Sequence, residues 1–180
     1  MKRAARAKPH HNAQAVPPQR RFSFWFARLS RTLSEHTLNY VRSHFGLNLA
    51  EHRVLAVLGD DDGMSTRDIS AYASLDKGQT ARALASLAQR GLVTQHIDEQ
   101  DRRLRVVYLT ASGRETAQAI RPVMSARQNQ LMDCLNEAEQ KMVWPILQKL
   151  FDEAERLRRD GEQGRFPEPL GTPPSHPEDA

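Results

Sequence analysis

Along residues 64–110 the spacing of apolar positions changes character. Ile69, Tyr72 and Ala73 fall on one side of a short helix, and Thr80, Ala83, Leu84 and Leu87 repeat at i, i+3, i+4 and i+7 on a second. Residues 92–97 and 104–109 then become runs of β-branched, aromatic and apolar side chains, with a wholly polar stretch at 98–103 between them. Such runs predict two strands joined at a charged tip. Ser65 and Asp76 each stand three residues before an acid or amide, Asp68 and Gln79. That spacing predicts reciprocal capping of two helix starts. Leu75 bridges the helices, and Gly91, after the cation Arg90, predicts a left-handed stop for the second.

Two further stripes flank this region. Phe22, Phe26, Leu29, Leu33, Tyr40 and Val41 recur at helical spacing upstream, as do Ile120, Val123, Leu131, Leu135, Val143, Ile146, Leu147, Leu150 and Leu157 downstream. Both predict long helices, although Pro122 and Pro145 should each start, kink or interrupt a helix. A winged unit of roughly sixty residues cannot bury both stripes, so their natural cover is the same pair in a second chain. The fold class expected is mainly α with a small β-hairpin wing. It is a winged helix-turn-helix (about 47–110) with amino- and carboxy-terminal dimerisation helices (about 22–45 and 111–158).

Composition adds asymmetry. The 180 residues carry a formal charge of +4, but Lys2, Arg3, Arg6, Lys8, Arg20, Arg21, Arg28 and Arg31 all precede the first acid, Glu35. Residues 1–20 therefore read as a disordered basic arm. Residues 159–180, with prolines at 167, 169, 173, 174 and 177, read as a disordered, acidic, Pro-rich tail, leaving 21–158 as the folded body. The chain has no apolar run near the ~20 residues of a membrane helix and no secretory apolar core. With one cysteine, Cys134, it has no internal disulfide framework, and a cytoplasmic location is expected.

The helix over residues 77–90 turns its apolar set inward, leaving Gly78, Arg82, Ala85, Ser86 and Gln89 outward, with Gln79 and Ala81 at the flanks. No acid occurs between Lys77 and Ile97. A face selected only for solvation more often carries Glu and Lys, whereas small residues let a backbone approach a groove closely. Arg82 suits guanine or a phosphate and Gln79 suits adenine. Arg102, Arg103 and Arg105, with Asp101, lie at or beside the hairpin tip, where arginine suits a narrow minor groove. Ser65, Thr66 and Arg67 begin the other helix and are expected to position the protein on phosphates.

Leu75-Asp76-Lys77, Arg90-Gly91-Leu92-Val93, Asp101-Arg102-Arg103 and Leu109-Thr110-Ala111-Ser112-Gly113, in that order, resemble the MarR family of bacterial transcription regulators. The resemblance extends upstream to residues 47–55 and covers roughly 22–157. It implies that Arg103 is the residue inserted at the wing, oriented by Asp101, and that the functional unit is a homodimer on a pseudo-palindromic double-stranded operator. The resemblance further implies a repressor released by a small aromatic carboxylate or phenolic effector. His36, Tyr40, His44, His52 and Arg53, on the first two helices among apolar neighbours, are the candidates to line the effector's crevice.

Other chemistries find little footing. The histidines at 36, 44, 52 and 96 lack the paired spacing and thiol or carboxylate partners of a zinc site, and Asp60-Asp61-Asp62-Gly63 reads as a tight solvated loop. No metal or cofactor is expected. With no phosphate-cradling glycine loop or nucleophile elbow, catalysis is not expected either. An architectural DNA-binding protein with little base discrimination, favoured by the basic arm, stays open as the alternative, as does a protein-interaction role for the winged unit.

Overall fold

The computed structural model describes residues 17–97 and 105–166. After a 3₁₀ turn at Pro18–Arg20, the described residues form α1 (Phe22–Phe45), α2 (Leu49–Asp60), β1 (Met64–Ser65), α3 (Thr66–Tyr72), α4 (Lys77–Gln89), β2 (Val93–Ile97), β3 (Arg105–Leu109), α5 (Ala111–Met132) and α6 (Glu137–Glu162). Contacts divide the chain into two units. Residues 26–134 hold the winged helix-turn-helix; residues 1–25 and 135–180 form the other unit.

In the winged unit the sheet has the order β1-β3-β2 and is antiparallel throughout. The expected hairpin is there, with Val93 opposite Leu109 and Ile97 opposite Arg105. The short β1 adds a third strand, Met64 opposite Val107, which the sequence pattern does not announce. Two residues are too few for a period of two to show. The core gathers Val41, Leu47, Val54, Leu55, Leu58, Ile69, Leu84, Leu87, Val107 and Ile120 from α1, α2, the helix pair, the sheet and α5. Tyr72 departs from its expected inward side. It is 73% exposed, because α3 ends there and only Ile69 and Ala73 turn into the core.

Helix ends are set by side chains. Asn48 and Glu51 cap α2 reciprocally: Asn48 Oδ1 accepts from the Glu51 N–H at 3.0 Å, and Glu51 Oε2 accepts from the Asn48 N–H at 2.8 Å. Gly91, at φ +69°, ends α4. The Leu92 N–H reaches Leu87 O at 2.9 Å and the Gly91 N–H reaches Ala88 O at 3.0 Å. This paired closure uses the left-handed glycine to satisfy carbonyls that the helix leaves open.

The long downstream stripe is two helices. Residues 133–136 interrupt it, and Asn136 restarts the chain as α6 by capping Glu139 reciprocally. Pro122 and Pro145 neither start nor interrupt a helix. Both sit inside helices that continue past them. Each proline removes one N–H and leaves one carbonyl four residues back without its helical donor. Those residues, Gln118 and Lys141, are exposed, so water can supply it. The helix also runs to Glu162, four residues beyond the boundary expected for the folded body. Residues 1–16 and 167–180, most of the expected arm and tail, lie outside the described residues.

Candidate nucleic-acid interface

α3 and α4 are joined by a polar bridge. Ser70 Oγ donates to Thr80 Oγ1 at 2.8 Å, and Thr80 Oγ1 donates to Asp76 O at 2.9 Å. Thr80 lies on the inner side of α4 with Ala83, Leu84 and Leu87, all buried. The opposite side presents Lys77, Gly78, Ala81, Arg82, Ala85 and Gln89, all exposed. A Cβ on Gly78 would sit 3.3 Å from both Arg82 Nη1 and Asp76 Oδ1. The bare glycine thus leaves the Arg82 guanidinium a few tenths of an ångström more room beside the helix start.

Two residues of the expected reading face are otherwise engaged. Gln79 Oε1 accepts from the Asp76 N–H at 3.1 Å while Asp76 Oδ1 accepts from the Gln79 N–H at 2.7 Å. A bidentate contact to adenine needs both ends of that amide, so in this rotamer Gln79 is a cap and not a reader. Ser86 is half-buried, and its hydroxyl donates inward to Glu51 Oε1 at 2.5 Å. It belongs to the back of α4, because position 86 flanks the buried set, three residues after Ala83, and the Glu51 carboxylate meets it there.

That carboxylate is central to the unit. Glu51, 4% exposed, also lies 3.6 Å from Arg90 Nη1. Arg90 in turn donates to Phe45 O at 2.7 Å and to Gly46 O at 3.2 Å. It stabilises the carboxyl end of α1, not only that of its own helix, where the partial negative charge favours a cation.

At the other helix start, Ser65 Oγ accepts from the Asp68 N–H at 3.1 Å and donates to Asp68 Oδ2 at 2.7 Å. The reciprocal half of the expected capping box is missing. Aspartate is one methylene shorter than glutamate, and its carboxylate takes the hydroxyl proton instead. Thr66 is half-buried, Arg67 is exposed, and Arg105 is exposed at the base of the wing. Asp101, Arg102 and Arg103 lie outside the described residues.

The acidic turn is structural. Asp62 Oδ1 accepts from the Leu109 N–H at 2.8 Å and Oδ2 from Arg114 Nη1 at 2.9 Å, which fastens the wing to α5; Asp60 pairs with Arg121. Nothing in the local pattern announces these partners, which stand some 50 to 60 positions downstream. Among the described residues there is no group of side chains able to hold a metal, and no helix is long and apolar enough to cross a membrane.

The five crevice candidates separate. His36 and His44 are exposed; His44 stacks on Tyr40 at 4.4 Å between ring centroids, and its Nδ1 meets Tyr40 O at 2.9 Å. His52 and Arg53 line a cleft of about 590 Å³ bounded by Ser30, Tyr72 and Ser74. His52 also borders a second cleft, about 580 Å³, between α2 and α5. Its Nδ1 is buried and has no hydrogen-bond partner among the described residues. Burial foremost, then the nearby charges of Arg127 and Arg53, hold its pKa below the usual histidine value. Arg53 is loosely held, with 3.5 Å contacts to Ser34 Oγ and Ser74 O.

Known proteins share this fold. The sequence profile of the MarR family matches residues 45–104. The HTH-type transcriptional regulator BilQ of Clostridium symbiosum is 28% identical over 105 residues, 58% of this chain and 73% of its own length. PcaV of Streptomyces coelicolor, solved in complex with its natural ligand, is 25% identical with a TM-score of 0.64, covering 78% of this chain and 99% of PcaV. MepR of S. aureus, solved in complex with DNA, shares the fold at 20% identity and a TM-score of 0.68, covering 74% of this chain and 98% of MepR. The relatives are transcriptional regulators and not enzymes. Over residues 45–104 the chain matches the MarR family, and the relatives it resembles are transcriptional regulators.

Proposed function

We propose that the chain is a homodimeric, sequence-specific double-stranded DNA-binding repressor released by a small aromatic or acidic ligand. The observation that carries the DNA part is the exposed side of α4, where Arg82 and Lys77 stand among Gly78, Ala81 and Ala85 with no acid on the helix. A cationic face without bulk suits the major groove, and Arg67 and Arg105 suit flanking phosphates. Arg102 and Arg103 are assigned to the minor groove from sequence, with Asp101 orienting Arg103 as the family resemblance implies.

Dimerisation is supported by apolar surface that a lone chain leaves in water. Trp25, Phe26 and Leu29 on α1, and Trp144, Ile146, Leu150 and Phe151 on α6, are all exposed, Trp144 by 62%. On α6, Ile146 and Leu150 stand four residues apart and Trp144 and Phe151 seven, and an exposed apolar stripe at that helical spacing suits a partner surface. Two reading heads then imply half-sites separated by ~10 base pairs or a small multiple. Ligand release is supported by the clefts that meet at His52, its unpartnered Nδ1 and the loosely held Arg53.

The test compares wild type with Arg82→Ala and Arg103→Ala by fluorescence anisotropy on duplex DNA selected by the protein itself. Each variant should stay folded and dimeric yet bind weakly. Unchanged binding by both would rule out the proposed interface and favour a protein-interaction role.

A further inference from the structure

The recognition helix is held from behind by groups that face away from its exposed side. We infer that Glu51, Ser86 and Arg90 form a positioning clamp that sets how α4 lies across DNA, and so which bases it reads, without touching a base; the inference rests on the DNA-binding reading above. Ser86 has one hydroxyl proton and gives it to Glu51 at 2.5 Å. Glu51 is itself anchored in the first turn of α2 by the Asn48 N–H at 2.8 Å, and it lies 3.6 Å from Arg90. Arg90, at the end of α4, reaches the last carbonyl of α1, Phe45 O, and that of the following Gly46. The middle and the carboxyl end of α4 are therefore tied to the junction between α1 and α2.

Geometry makes that tie matter for specificity. From Ser86 to Lys77 is a run of nine residues, about 14 Å at the helical rise, so a tilt of ~5° about the clamp moves the reading end by roughly 1 Å. A bidentate base contact tolerates only a few tenths of an ångström before its hydrogen bonds weaken. Contacts to phosphate tolerate more, because long cationic side chains can follow the backbone and the attraction is one of charge. A loosened clamp should thus erode base discrimination before it erodes general affinity.

The experiment uses the full chain. Sequences bound by wild type are selected from random duplex DNA, and affinities for the selected duplex and a scrambled one are measured for wild type, Ser86→Ala, Ser86→Thr, Glu51→Gln and the Ser86→Ala/Glu51→Gln pair. Temperature is kept well below each variant's unfolding. Ser86→Ala and Glu51→Gln should each lower the ratio of specific to non-specific affinity by about tenfold, the scale of one mismatched base pair. Non-specific affinity and its salt dependence should hold, Ser86→Thr should restore the ratio, and the double variant should lose little more than either single one. Full discrimination by Ser86→Ala overturns the clamp. So does loss in Ser86→Ala without loss in Glu51→Gln, which would put the hydroxyl on DNA. Wild type that selects no preferred sequence sinks the DNA-reading proposal itself, and the clamp with it.

Discussion

Ser86 Oγ donates to Glu51 Oε1 across 2.5 Å, joining two helices through residues 35 positions apart in sequence. The carboxylate is almost fully buried and takes its other close bond from the Asn48 N–H. Ser86→Ala leaves a desolvated oxygen short of its donor, which should destabilise the fold by about 1–3 kcal/mol. Urea unfolding of the two proteins measures this, and equal midpoints would mean that the bond contributes nothing to stability.

Gly113 and Gly91 make opposite demands. A Cβ at Gly113 would lie 1.9 Å from Leu92 O, a backbone atom that cannot swing aside, because α5 passes directly against the turn that ends α4. Gly91 has open space around its missing Cβ and needs only its φ of +69°. Gly113→Ala should therefore destabilise by about 3 kcal/mol or more, the upper range of overpacking. Gly91→Ala should cost about 1–2 kcal/mol, the left-handed penalty alone. Thermal unfolding that ranks them in the reverse order would contradict the packing described.

His52 gives the fold a pH dependence of known sign. Its pKa is lowered in the folded state, so below the ordinary histidine value of 6.5 the unfolded chain takes up a proton that the folded chain resists. Stability attributable to this group should be constant above that value and fall as pH drops through it. His52→Gln should flatten the slope between about pH 6.5 and 5. Chemical denaturation of both proteins across that range checks it, and parallel slopes would assign the dependence elsewhere.

Much of the winged unit was legible because its signals are local. Asp76 with Gln79, the buried set Thr80, Ala83, Leu84 and Leu87, and the Gly91 stop all lie within one helix and its ends. What periodicity could not show is pairing across the fold. Ser86 looks outward on a helical projection, and only Glu51, brought in from another helix, turns it inward. Arg90 looks like a cap for its own helix alone and also serves α1. The prolines misled for a related reason: their breaking tendency is intrinsic, whereas its cost depends on whether the orphaned carbonyl meets water.

The exposed apolar stripe on α6 should assemble the dimer. Leu150→Glu places a charge among Ile146, Leu147 and Phe151, and sedimentation should show the species shift toward monomer at micromolar concentration. A dimer of undiminished strength would remove that stripe from the interface.

The most direct test of the central claim is selection of bound sequences from random duplex DNA by the purified chain at near-physiological salt. A dimeric base-reading regulator predicts recovery of a pseudo-palindrome with half-sites about one helical turn apart. Recovery of a compositional bias alone, with specific and non-specific affinities within about tenfold of one another, would contradict it and describe an architectural DNA-binding protein instead.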